Sequence, residues 1–183
     1  MKYFKHIDLE GWKGPTLKVH KFVRDQTQIL QGGAFWNILS KEKHDFCYQQ
    51  LSPVFEKAGF NLLRISFLVL NGEESDIHQD KDFIPGFPDR LARINLPVLN
   101  CEGTETHFYS SLKWDPIVKT LPNGIKYAFH PPEHCKLEGT VSITKPTIIR
   151  VRELHSVANH TKIYPRITLT CAVDPDPVYL LED

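Results

Sequence analysis

The chain has no surplus of charge: 22 basic residues are matched by 22 acidic ones. A zero balance gives no global attraction to nucleic acid or to an anionic membrane, so neither is expected as a partner, and only local patches remain. Cysteine is sparse. Cys47, Cys101, Cys135 and Cys171 stand far apart with no Cys-x-x-Cys pair, which argues against a sulfur-ligated zinc site or a redox dithiol and leaves buried free thiols as the expectation. Long apolar runs are missing as well. None approaches the ~18 residues of a membrane span, and Met1-Lys2-Tyr3-Phe4-Lys5-His6 lacks the apolar core of a secretory leader, so the chain reads as cytoplasmic. No repeat, low-complexity tract or linker divides the 183 residues, and 41% hydrophobic with 24% charged content suits one soluble domain spanning 1–183.

What is present changes texture at Gly59. Before it, residues 1–60 read as a helical, supporting region with a break at Gly32-Gly33 and a short apolar segment, Ala34-Phe35-Trp36-Asn37-Ile38-Leu39. Cys47, Leu51, Val54, Phe55 and Ala58 recur at helical spacing, and Gly59 suits the end of that helix. Pro53 leaves two options: it kinks one helix, or it opens a second one capped by Ser52. After Gly59 the pattern is β, with strands expected over 61–70, 76–80, 92–100, 104–110, 139–144, 147–154 and 166–173. Short strands with frequent turn signals suit a sandwich or jelly roll. Residues 111–138, punctuated by Pro116, Pro122-Asn123-Gly124 and Pro131-Pro132, are expected as an excursion from the core and a candidate lid.

The chemistry-bearing residues are ordered along this β region. His78-Gln79-Asp80 follows the run Leu62–Leu70 and an acidic turn, His155 follows Thr147–Leu154, and Arg166 and Thr168 open the last strand. The triplet alone is weak, since chance gives one in roughly every second chain of this composition. On a strand, however, residues i and i+2 share a face, so His78 and Asp80 can reach one metal and Arg166 and Thr168 one carboxylate. Two imidazoles and a carboxylate are a set that holds non-haem Fe(II) with coordination positions left open. An arginine among the apolar residues Ile163, Tyr164, Ile167, Leu169 and Ala172 calls for an anion, which its planar fork can bind bidentately.

This order of motifs, with Leu154-His155-Ser156-Val157-Ala158-Asn159, Pro165-Arg166-Ile167-Thr168 and Arg93-Ile94-Asn95-Leu96-Pro97-Val98, resembles the Fe(II)/2-oxoglutarate oxygenase superfamily over roughly Leu62 to Val173. The resemblance implies a mainly β, double-stranded β-helix (a cupin-like jelly roll) over 61–173 with flanking N-terminal helices. It also implies His78, Asp80 and His155 as iron ligands, and Arg166 with Thr168 on the distal carboxylate of 2-oxoglutarate. Thr168 stands where many relatives carry Ser and keeps the hydroxyl. The implied activity is a dioxygenase, hydroxylating a C–H of a small polar molecule or an amino-acid side chain with release of succinate and CO2. Asp80 fills a position that is Gly in halogenating relatives, so oxygen transfer is expected.

Several assignments remain open on sequence. His160, His107, His130 and His134 compete with His155, but His160 lies in the polar turn Asn159-His160-Thr161-Lys162. Arg93 and Asn95 share a strand face and either can point inward, toward the cosubstrate or into cross-strand pairing. Tyr109, Trp114 and the aromatic and charged residues of 81–90 and 111–138 (Phe83, Phe87, Arg90, Lys113, Tyr127, Phe129, His130) are candidates for a substrate mouth. A metal-binding cupin without 2-oxoglutarate and a nucleic-acid demethylase of the same superfamily are the alternatives. Relatives of the second kind carry another Arg six residues after the first, where this chain has Ala172.

Overall fold

The computed structural model describes residues 2–26, 34–80, 90–120 and 126–182. Its elements, in chain order, are β1 (Phe4–His6), α1 (Lys13–Gln26), β2 (Ala34–Leu39), α2 (Asp45–Lys57), β3 (Asn61–Leu70), β4 (Ile77–His78), β5 (Ala92–Leu99), β6 (Thr104–Ser111), β7 (Ile117–Thr120), β8 (Lys126–His130), β9 (Cys135–Val141), β10 (Thr147–Arg150), β11 (Leu154–Asn159) and β12 (Arg166–Asp174). Two antiparallel six-stranded sheets result, ordered β1-β10-β5-β12-β3-β2 and β7-β8-β4-β11-β6-β9. From β3 to β6 the chain alternates between them, and from β9 to β12 it does so again. That is the winding of a double-stranded β-helix, with the β7–β8 hairpin inserted between its halves.

The first sheet has two chemically different faces because its strands alternate. Ile65, Phe67, Val69, Ile94, Leu96, Ile167, Leu169, Cys171 and Val173 point to one side, where they join Leu51, Val54 and Phe55 of α2 and Val19 and Val23 of α1 in a single apolar cluster. Fully burying each such side chain contributes ~1.5–3 kcal/mol, so this layer carries much of the stability. The residues between them (Arg64, Ser66, Arg93, Asn95, Arg166, Thr168 and Thr170) are equally buried but polar. They line the space between the sheets. Phe108, Val141, Ile149 and Val151 form a second, smaller apolar cluster, with Tyr3 and Phe4 packed against it.

The helices follow from local chemistry. In α2, Cys47, Tyr48, Leu51, Val54 and Phe55 form the buried stripe, and the helix runs unbroken through Pro53, which decides between the two options left by the sequence. It ends at Gly59, whose φ of +83° is reached without a Cβ penalty. There Gly59 N–H donates to Glu56 O and Phe60 N–H to Phe55 O, closing the last turn.

Three expectations about elements change. Residues 1–60 are more than flanking helices, because β1 pairs with β10 and β2 with β3, widening the first sheet at both ends. The run 147–154 is two strands: β10 stops at Arg150, and His155 belongs to β11 in the other sheet. The corner between them is held from elsewhere in the chain, by Val151 N–H on Leu91 O (3.1 Å) and Asp80 N–H on Val151 O (2.9 Å). Finally, 111–138 includes β7, β8 and the start of β9, and β8 pairs directly with β4.

Candidate metal centre

β4 is only two residues long, and its second, His78, lies directly across from His155 of β11. The two rings are 4.6 Å apart. Asp80 has left the strand, yet its Oδ1 stands 3.4 Å from His78 Nε2 and 3.9 Å from His155 Nε2. The three ligand atoms all fall within 4.8 Å of one another, a grouping that can hold a metal ion. Each imidazole is aimed by the same device. His78 Nδ1–H donates to Asp76 O (2.8 Å) and His155 Nδ1–H to Glu153 O (2.9 Å), so both Nε2 lone pairs face the common point. Arg93 Nη1 donates to Asp80 Oδ2 at 2.8 Å, which leaves Oδ1 for the ion. Gln79 points the other way and its amide donates to Arg152 O (2.6 Å), pinning the triplet to the corner after β10.

Charge in this cluster is set by burial working against close partners. Burial would raise Asp80, but the Arg93 guanidinium and the two imidazoles outweigh it and hold the carboxyl well below its usual range. Burial alone would depress His78; its hydrogen bond to Asp80 and that residue's charge reverse the sign and raise it. His155, more deeply enclosed and repelled by a protonated His78, is pulled down to about 4. Burial and neighbouring charge thus act in opposite directions on the two imidazoles, raising His78 and lowering His155, beside a depressed Asp80.

Arg166 and Thr168 lie on the inner, polar face of the first sheet. Arg166 is 3% exposed, donates from Nη1 to Thr168 Oγ1 at 3.3 Å, and its Nε meets no acceptor among the described residues. No acidic side chain pairs with it among the described residues, and burial lowers its pKa. Asn95 sits on the same face, in register with Thr170 of β12 and Thr147 of β10, and Thr170 in turn with Ser66 of β3. Asn95 Oδ1 and Ser66 Oγ are buried without a partner among the described residues. Buried polar atoms left so cost ~1–3 kcal/mol each unless something completes them. This face thus carries positive charge and hydrogen-bonding capacity that a polar, anionic group could take up.

The other candidates scatter. His160 is exposed in the turn after β11, His107 lies on the outer face of β6, and His134 is bound to Asp115 (2.8 Å). Tyr109 also points outward, to Ser156 Oγ at 3.1 Å, so it is no part of the mouth. Trp114 packs on His130, whose strand neighbours put it on the side away from His78. Lys113 pairs with Asp115 in solvent and Arg90 with Asp174. Tyr127 and Phe129 alternate onto the same side of the sheet as His78, with Tyr127 edge-on to that imidazole at 6.0 Å. Phe83 and Phe87 lie outside the described residues. Sequence reasoning missed two features. Asp76 accepts from Tyr127 Oη (2.6 Å) and Lys119 Nζ (2.9 Å) and so ties the β7–β8 hairpin to the residue whose carbonyl aims His78. Arg64 is buried in register with Ala172, so a guanidinium occupies that level from the neighbouring strand; its place inside an apolar run was the available signal.

No family model and no curated protein matches the chain. Among solved structures it is similar to the epimerase SnoN from nogalamycin biosynthesis, in its complex with Fe3+, alpha-ketoglutarate and nogalamycin RO. The TM-score is 0.56 at 15% identity, covering all of this chain and 85% of that one. It is also similar to a Pseudomonas putida prolyl-4-hydroxylase, with TM-score 0.52 and 12% identity over 94% of this chain and 92% of the other. At these identities the likeness is one of fold: the chain has the double-stranded β-helix seen in 2-oxoglutarate-dependent oxygenases.

Proposed function

We propose that this protein is an Fe(II)- and 2-oxoglutarate-dependent dioxygenase that hydroxylates a C–H bond of a small polar molecule or an amino-acid side chain. The observation that carries the reading is the pairing of two sites in one interior: a two-imidazole, one-carboxylate cluster, and a buried guanidinium with no acidic partner among the described residues. The fold relatives support it, one being a non-haem alpha-ketoglutarate-dependent epimerase and the other a prolyl-4-hydroxylase.

In this reading His78, Asp80 and His155 would hold the iron, a donor set that leaves coordination positions open for cosubstrate and O2. When bound, iron and 2-oxoglutarate supply the activation of O2, with substrate C–H becoming C–OH as 2-oxoglutarate becomes succinate and CO2. Arg166 and Thr168 receive the distal carboxylate, with Asn95 on the wall beside them. Arg93 keeps Asp80 ionised and turned to the metal. Phe108, whose ring lies 6.4 Å from that of His155, makes the metal's surroundings apolar on that side. Tyr127 and Phe129 share His78's side of the sheet and would face the substrate.

Succinate formation from 2-oxoglutarate, measured with and without added Fe(II), tests the proposal. Iron- and O2-dependent succinate in the wild type, abolished in His155→Ala, is the expected outcome. Tight metal binding with no 2-oxoglutarate turnover under any candidate substrate would instead make the protein a metal-binding cupin of another kind.

A further inference from the structure

A second group of metal-binding side chains converges on the opposite side of the second sheet. Glu105, His107 and His160 bring three ligand atoms within 4.8 Å of one another. Glu105 and His107 are i and i+2 on β6, on the face away from the buried Thr106 and Phe108. His160 comes from the turn between β11 and β12. Its Nε2 is 3.6 Å from Glu105 Oε2, and His107 Nε2 is 3.2 Å from the same oxygen. A tetrahedral ion with ligand bonds of about 2.1 Å places its ligand atoms roughly 3.4 Å apart. The two separations from Glu105 Oε2 bracket that value, and the third pair of ligand atoms lies within 4.8 Å.

Two features make this more than an exposed ion pair. First, His107 Nδ1 is engaged by Tyr109 Oη (3.3 Å), which continues to Ser156 Oγ (3.1 Å) and from there to Glu74 (3.4 Å). That chain fixes the ring, with Nε2 turned to the Glu105 carboxylate at 3.2 Å. Second, the turn carrying His160 is rigidly seated. His160 N–H donates to Gly103 O (3.3 Å), and Asn159 Oδ1 accepts from both the N–H and the hydroxyl of Thr161. Thr161 Cγ2 would lie 2.5 Å from any Cβ at position 103, whose φ is +67°, so glycine alone lets the turn come this close.

We propose that Glu105, His107 and His160 form a second, solvent-facing site for a divalent transition-metal ion, zinc by preference, with water as the remaining ligand. Imidazole and carboxylate donors in an open tetrahedral frame suit that ion. A bound ion would join β6 to the 159–163 turn, the connection that leads from His155 to Arg166. The proposal is independent of the activity assigned to the interior.

Zinc binding measured by titration calorimetry and by thermal unfolding tests it. The wild type should take up two equivalents, and Asp80→Ala/His155→Ala, which leaves the outer group untouched, one equivalent. Adding His160→Asn to that variant should abolish uptake and the zinc-dependent rise in Tm. His160 is exposed, so the single variant His160→Asn keeps the test available if the interior variant does not fold: it should lose one of two equivalents. If the interior triad bound no zinc, the wild type would take up one equivalent and His160→Asn would still remove it. Zinc uptake unchanged by both His160→Asn and Glu105→Gln, or no uptake by a folded interior variant, overturns the site.

Discussion

Arg93 sets what Asp80 can do: with Oδ2 taken at 2.8 Å, only Oδ1 faces the two Nε2 atoms. Protonation states in the cluster then lead to a measurable consequence for metal uptake. Asp80 is depressed and ionised throughout the working range, and His155, at about 4, is neutral there. His78 is raised, so below its folded value it carries a proton that an incoming metal must displace. Metal affinity should therefore fall as pH drops through the raised His78 value, with one proton released per ion below it and none above. Calorimetry in buffers of different ionisation enthalpy counts that proton. Release of two protons at pH 6.5 would mean that His155 is also protonated and that the electrostatic picture is wrong. Much at this scale is legible in the sequence, because i, i+2 spacing on a strand fixes which residues share a face, as for Arg166 with Thr168. The partners are less so: nothing local to Arg93 says whether it meets Asp80, Asn95's neighbours or a guest.

The β7–β8 hairpin is the element most directly coupled to the metal strand. Asp76 is held below its ordinary value: burial would raise it, but hydrogen bonds from Lys119 and Tyr127 prevail. A depressed carboxyl stabilises above its unfolded value and loses that contribution as pH falls through the folded one, so this clasp is intact at neutral pH and weakens in acid. Tyr127→Phe removes one bond to it at 2.6 Å. Hydrogen exchange at the paired β8 amides should accelerate roughly fivefold, about 1 kcal/mol, with the triad's metal still bound. Unchanged exchange would show that the hairpin is held by its backbone pairing alone. This element was hidden from sequence reading because its Pro and Gly punctuation resembles a loop, while its pairing partner Ile77–His78 lies some fifty residues away. The split between β10 and β11 was hidden for a related reason. Val151-Arg152 is as β-rich as its flanks, and the corner is made by Leu91 and Asp80, which no local pattern announces.

At the scale of the molecule, two sheets divide the work. The second sheet presents His78 and His155, the first presents Arg166, Thr168 and Asn95, and the apolar layer of α1 and α2 backs the first sheet so that its inner face can be polar. Alternation along β3, β5 and β12 made that division readable in the sequence. The edge strands β1 and β2 were not: β1 is only three residues long, β2 stood out merely as a short apolar segment, and pairing with β10 and β3 is what makes them strands. In the proposed function both sheets grip one cosubstrate, the metal at one end and Arg166 at the other. Binding of 2-oxoglutarate measured by calorimetry under anaerobic conditions, with and without Fe(II), tests it most directly. Wild-type affinity should require the metal and fall at least about tenfold in Arg166→Ala, with Arg166→Lys recovering only part, because losing a charge-assisted bidentate contact costs ~1.5–3 kcal/mol and an ammonium cannot replace the planar fork. Affinity independent of both the metal and Arg166 would mean that 2-oxoglutarate is not held between the two sheets.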